Sequence, residues 1–466
     1  MVVFFVVLIS YLISSENYIF LIVTILTVLT LASFNTNPEI IVIYLMTVSI
    51  PFWKFELFSL NKVIKGMGEV PVHSVHILAV ILIFMFAIRI IPKIGAIKIG
   101  EIGKAILLIA LVYVVSIIGV FQGYQNFTEY FKSIINIFLF TMLYFAFNNS
   151  VTKNNTILKI LKVWVIVSLL VALYAFYQLF GYFIDFLPLI PGTEIIKYGE
   201  IPRVSSVFKE TVPFVQYLVY PIIFVAVLLA EKQMFPFKTL KRNILALTTL
   251  LTSFVLTFSM TAILYLSIFA PFFFLSQRTT TKGSLRKLLF IVSIGVAFLV
   301  VGIYTDYGQM FQSRFSLVKN LADGSTIARI HTASIAWQEF INHPLFGIGA
   351  GNFASFTAIG LFPGEVHYNI YYCDVLIAQI MAEMGLVGVT AIFVFFGTMI
   401  IGLRKVISLN KANDLNLHIS RGFYFMLLTY MISTLVVSGW LEFWVWFNFS
   451  IAGTWVYHEN KRLREI

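Results

Sequence analysis

The sequence predicts an all-α polytopic membrane protein, and three observations lead there. Of 466 residues, 60% are hydrophobic and only 11% are charged, whereas an average soluble domain carries roughly 25% charged residues. The mean hydropathy is +0.94, so apolar residues are not confined to one face of each element. Fourteen hydrophobic segments recur along the chain, many near the length of roughly 20 residues that a helix needs to cross a bilayer. A soluble fold of this size would need a charged shell that this composition cannot supply.

The segments are 2–14, 18–34, 38–53, 74–91, 103–121, 133–147, 160–183, 213–230, 243–258, 260–276, 287–305, 375–402, 421–438 and 440–457. Several are short, and the pair at 243–276 is split only at Ser259, so 12–14 crossings are expected. Residues 2–14 lack the basic flank and small-residue cleavage site of a cleaved leader and read as a membrane segment. Three regions follow: membrane helices over 1–305, a large extracytoplasmic loop with short amphipathic helices over 306–374, and membrane helices with a basic cytoplasmic tail over 375–466.

Charge orients these segments. With both termini inside, 22 of the 32 Lys and Arg residues fall in cytoplasmic loops and the tail, as the positive-inside rule requires. The inner side then carries +16, the outer side −4, and Glu383 stands alone within a membrane segment. The overall charge of +11 is thus a topology signal and does not imply a nucleic-acid partner. The single cysteine, Cys373, excludes a disulfide within the chain and any Cys-based metal cluster. His73 and His76 have a metal-compatible spacing but no convincing third ligand, so no metal or other cofactor is expected.

The long outer loop holds the densest pattern. Ser325 or Thr326 can cap a helix whose apolar Ile327, Ile330, Trp337 and Ile341 share one face. Pro344, after Asn342 and His343, ends it. A glycine-rich turn follows, Gly347-Ile348-Gly349-Ala350-Gly351-Asn352. A surface helix with a flexible turn would suit a floor or lid for a lipid-linked substrate, and the same residues also suit an ordinary surface helix and tight turn.

The run from Ala328-Arg329-Ile330 to Trp337, followed by His343-Pro344-Leu345-Phe346-Gly347-Ile348-Gly349-Ala350-Gly351-Asn352-Phe353, resembles the signature of the O-antigen ligase and polysaccharide polymerase superfamily. Ala382-Glu383-Met384-Gly385-Leu386-Val387-Gly388 resembles the entry to its next membrane helix, and Arg203-Val204-Ser205-Ser206-Val207-Phe208 its Arg-x-Ser-Gly-x-Phe stretch. Three positions depart from the pattern: Ser206 replaces a Gly, Met260 replaces an Arg, and Asp374 stands where many members have a His-Asn pair.

The resemblance implies a fold similar to the glycosyltransferase-C class of lipid-donor enzymes. It also implies transfer of a glycan from an undecaprenyl-diphosphate-linked oligosaccharide to a glycan acceptor, outside the bacterial cytoplasmic membrane. A chain-length regulator or a flippase would be its protein partners. The diphosphate leaving group needs cationic donors, and arginine suits it through its planar, permanently charged fork. Arg203 and Arg329 rank first for this because both lie in matching segments, with Arg314 and Lys209 behind them. A base must take the acceptor's hydroxyl proton. His367 suits by its ordinary pKa, Asp374 by its register, and Glu365 less well. Glu383 reads as a buried partner for an outer arginine, and Trp337, His343, Gly347, Gly349, Gly351 and Asn352 as supporting residues. The nearest His to that position, His367, lies seven residues before Asp374, and this displacement favours a polymerase over a ligase that uses a lipid A core or protein acceptor. A transporter of the same glycans would instead spread charges along its membrane helices.

Overall fold

The computed structural model describes residues 37–52, 56–59, 71–90, 97–122, 127–184, 196–198, 201–208, 210–275, 324–353, 373, 375–410, 415–435, 437 and 439–465. Its helices are α1 (Pro38–Ser49), α2 (Ser74–Ile90), α3 (Gly100–Val115), α4 (Ile117–Gln122), α5 (Phe127–Ser150), α6 (Asn154–Phe183) and α7 (Thr211–Ala230). They continue with α8 (Leu240–Val255), α9 (Met260–Leu275), α10 (Gly324–Asn342), α11 (Leu376–Leu409), α12 (Leu415–Ser433) and α13 (Phe443–Glu465). Two small antiparallel ribbons accompany the helices, β1 (Glu56–Ser59) with β2 (Pro71–His73), and β3 (Ile196–Tyr198) with β4 (Ile201–Arg203). The expected segments 2–14, 18–34 and 287–305 lie outside the described residues.

Among the described residues, five helices are long and apolar enough to cross a membrane: Gly100–Phe121, Phe127–Ser150, Asn154–Phe183, Thr211–Ala230 and Leu376–Leu409. Their exposed side chains are large and apolar, for example Leu111, Phe138, Leu170, Phe180, Phe393 and Ile401. Such a surface is stable against lipid and costly against water. The chain is an α-helical polytopic membrane protein. The split at Ser259 separates two helices, because Phe258 adopts a left-handed φ of 46° that no continuous helix accommodates. The single segment expected at 103–121 is broken as well, at Ser116, whose Oγ donates to the Tyr113 carbonyl at 2.7 Å.

Two helices are enclosed by the others. α7 is buried along most of its length and packs on α6, α8, α9 and α12. α13 buries Phe443 through Val456 against α5, α6 and α11. Around it the rings interlock: Trp446 donates its indole N–H to the Trp440 carbonyl at 2.7 Å and stacks on Phe140 at 5.5 Å. Much of the aromatic content therefore fills helix interfaces.

One end of the bundle is tied by ions and amides. Arg89 pairs with Glu39 at 2.7 Å and donates to the Asn149 carbonyl at 3.1 Å. Asn149 Oδ1 accepts from the Lys98 N–H at 2.9 Å. Burial, then nearby Lys461 and Arg89, lower the pKa of the Lys98 ammonium. Glu459 is fully buried and accepts from the side-chain amides of Asn154, Asn410 and Asn416 and from Arg462. That carboxylate joins the ends of α6, α11, α12 and α13.

Removing a buried charge that satisfies several donors costs about 3–5 kcal/mol, since the partners stay buried. Glu459→Ala is expected to lower the thermal unfolding midpoint in detergent by many degrees. Glu101→Ala removes the exposed pair with Lys104 and is expected to leave the midpoint almost unchanged.

Candidate functional site

The site is organised by a break in a membrane helix. Gly385 in α11 has φ 59° and ψ −154°, outside helical geometry. A helix would pair the Ala382 and Glu383 carbonyls with the Leu386 and Val387 N–H groups. The segment after α10 enters this gap and satisfies all four. The Ile348 and Gly349 N–H groups donate to the Ala382 and Glu383 carbonyls, both at 2.9 Å. The Leu386 N–H donates to the Pro344 carbonyl at 2.8 Å and the Val387 N–H to the Leu345 carbonyl at 3.3 Å. Two helical bonds are thus replaced by four between segments, and no buried backbone group is orphaned there.

Backbone meets backbone so closely that side chains are excluded. A Cβ on Gly347 would stand 2.3 Å from the Glu383 carbonyl carbon, and one on Gly385 would stand 2.5 Å from Leu345. Gly349 backs onto Val120 of α4, and Gly351 onto Glu129 and Ser133 of α5. The loop is therefore a wedge held by four helices, not the flexible turn expected from its glycines.

Its amides are spent within the protein. The Gly347 N–H donates to the His343 carbonyl, Ala350 to Ser116 Oγ at 3.2 Å, and Asn352 to the Gly349 carbonyl. The N–H groups of Gly351 and Phe353 bond the Glu383 carboxyl group, which also accepts from Gln379 Nε2 at 3.1 Å. The Asn352 side-chain amide closes the loop onto the Ile348 carbonyl at 2.9 Å. With every N–H from 347 to 353 occupied, the loop offers no backbone nest for a phosphate. The expected arginine partner of Glu383 is not found among the described residues; this buried carboxyl pins the loop instead.

α10 packs on α11 beside the wedge through a small core of Ala336, Ile348, Phe353 and Ala382. It starts at Gly324, so Ser325 and Thr326 lie within its first turn. It ends at Asn342 as expected. His343 contributes to that end through its backbone, its N–H donating to the Glu339 carbonyl at 2.9 Å. Arg329 stands half-buried on this helix, and its Nε is buried without a hydrogen-bond partner among the described residues. Trp337 is 53% exposed and its ring lies 5.6 Å from that of Phe340.

Arg203 has a separate support at the end of β4. Its Nε donates to the Thr257 carbonyl at 3.1 Å and Nη2 to Thr211 Oγ1 at 2.7 Å, which ties the ribbon to α7 and to the turn between α8 and α9. Ser206, where the resemblance expects Gly, has φ 54°. Gln178 holds both its backbone groups, and its Oγ donates to the Val171 carbonyl at 2.6 Å. That fixed left-handed turn is the reason a glycine suits the position. His367, Asp374, Arg314 and Lys209 lie outside the described residues. Among the described residues no group of three or more His, Cys, Asp or Glu side chains could hold a metal.

Sequence reasoning missed Ser116 and Gln379 and gave Gly385 no role. The only visible signals were a hydroxyl inside an apolar run and a glycine after a buried glutamate. Gly347→Ala and Gly385→Ala are each expected to cost several kcal/mol or to prevent folding, because the Cβ meets backbone that cannot withdraw. Gly397→Ala, on the same helix with nothing within 4 Å of its Cβ, is expected to be neutral or to stabilise by about 0.5–1 kcal/mol. Chemical denaturation of the three variants checks this.

No curated protein matches the chain. The wedge, α10 and the break in α11, which carry the motifs read from the sequence, all fall within residues 245–393, and that segment matches the family model for O-antigen ligase, a match that supports the resemblance to the O-antigen ligase and polymerase superfamily.

Proposed function

We propose that the chain is a polysaccharide polymerase that joins undecaprenyl-diphosphate-linked glycan repeat units on the outer face of the bacterial cytoplasmic membrane. One observation carries the reading. Arg329 sits in the family-matched segment, on a helix fixed to the wedge, with a guanidinium N–H buried and uncommitted. As the glycosyl bond breaks, negative charge grows on the departing diphosphate. A donor already oriented stabilises it with no reorganisation at the moment of reaction. Arg203, its plane fixed by Thr257 and Thr211, is the second cation assigned to the diphosphate, with Arg314 and Lys209 as further contacts. An outer face of net charge −4 cannot gather diphosphate by bulk attraction, so individually placed arginines have to do it.

The acceptor hydroxyl loses its proton to His367 or Asp374 as it attacks the anomeric carbon. The diphosphate leaves with the bonding electrons, and no metal is needed because the arginines meet its charge. The departure from the family's His-Asn register at Asp374 supports a polymerase. The description of the matched family favours a ligase as the second reading, with a lipid A core or a protein as acceptor.

Purified protein supplied with lipid-linked repeat units alone is expected to produce a ladder of polymers that chelation with EDTA does not diminish. Product only on addition of lipid A core or protein would establish the ligase. No product, with labelled glycan moving across a vesicle membrane, would establish a transporter. Arg329→Ala and Arg203→Ala are each expected to lower the rate by about 10²–10³-fold, Arg329→Ala with an unchanged unfolding midpoint and Arg203→Ala with a lower one because its bonds to Thr257 and Thr211 are lost; near-normal rates in both would sink the arginine assignment. Of His367→Ala and Asp374→Asn, the variant that keeps its activity identifies the residue that is not the base.

A further inference from the structure

We infer that α10 lies in the boundary layer of the bilayer, on the wedge side of the bundle, with Ile330, Trp337, Ile341 and Leu345 inserted among the lipid chains. Ile330 and Ile341 are 53% and 58% exposed, and Leu345, just past the helix, is 58% exposed. At 100° per residue, Ile330, Trp337 and Ile341 fall within about 40° of one another.

The helix is turned opposite to a helix on a water-soluble protein. Thr332, Ala336 and Glu339 face inward and are buried, while Ile330, Trp337 and Ile341 face out. Against water, each outward side chain would forgo the stabilisation that burial gives, and soluble proteins seldom expose a contiguous apolar patch of this kind. Against lipid the same orientation is favourable. The exposed Ser334, Gln338 and Asn342 run down the adjoining face, which supplies the polar flank of an interfacial helix. Trp337 is the residue type most favoured at that depth.

The occupant follows from continuity. The Leu345 carbonyl is bonded to Val387 and the Pro344 carbonyl to Leu386, so the stripe on α10 meets the exposed apolar band of α11 at Leu386, Phe393, Val394 and Ile401. That band belongs to a membrane-crossing helix, and its solvent is lipid. The patch continues from one helix to the other across a joint fixed by hydrogen bonds, so the same lipid layer covers both. The inference goes beyond the transfer reaction and does not depend on it.

Spin labels on single introduced cysteines in the full chain, reconstituted in phospholipid nanodiscs, test this. The unsubstituted chain, whose only cysteine is the buried Cys373, serves as the labelling blank; if it labels, Cys373→Ser becomes the background. Labels at 330, 337 and 341 are expected to be more accessible to dissolved oxygen than to a water-soluble nickel chelate, as is a reference label at Phe393. Labels at 334, 338 and 342 are expected to show the opposite order. Nickel access at 330, 337 and 341 would place the stripe in water and overturn the proposal. Access by neither probe would mean that a protein surface covers it, which also overturns the proposal. Three separate positions keep the test valid if one substitution disturbs folding, and none of the readouts requires enzymatic activity.

Discussion

The insertion of a loop into a broken helix is the interaction on which the rest of the site depends. At Gly385 the membrane helix α11 gives up two internal hydrogen bonds, and residues 344–349 replace them with four. An unpaired peptide group costs several kcal/mol inside a membrane, so neither half of the arrangement is stable without the other. The break needs the loop to satisfy its carbonyls and amides, and the loop needs the break to accept its own. This mutual requirement ties α10 and Arg329 to a membrane helix rather than leaving them on a tether. Ser116 extends it to the break between α3 and α4, and Glu383 extends it to the far end of the loop.

The bundle uses polar groups differently at its two ends. Around Glu459 a single carboxylate draws amides and an arginine from four helices, and the result is closure. On the wedge side, among the described residues, the backbone does most of the joining. That economy suits the diphosphate-linked donor proposed for the site. Where most polar groups are already committed to one another, an arginine with an uncommitted N–H is a strong and selective attraction.

Much of the fold was legible because membrane helices announce themselves by composition. The segments that became α5, α6, α7 and α11 differ from their expected ranges mainly at the ends. The wedge was legible as a motif and misread as an object. Glycines in a loop suggest freedom, whereas Gly347 and Gly385 are required because two backbones approach closer than a Cβ permits. The apolar face of α10 was visible as a 3.6-residue pattern, but periodicity marks a face without saying which way it points. Glu383 was recognised as a costly buried carboxyl, and an arginine was assumed to balance it. Among the described residues, Gln379 and the amides of Gly351 and Phe353 bond it.

By itself the sequence determined that lipid is the main solvent, where the helices of the described residues run, and which residues carry the motif matched by the family model. Those properties depend on each segment's own composition and local spacing, so they can be read one segment at a time. Only the tertiary structure decided that the glycine loop closes a broken helix, that Ser206 occupies a glycine conformation, and that Arg203 and Arg329 stand on separate supports. Each of these depends on a partner between about 30 and 230 residues away, and a hydrogen bond between distant segments leaves no periodic trace in either of them.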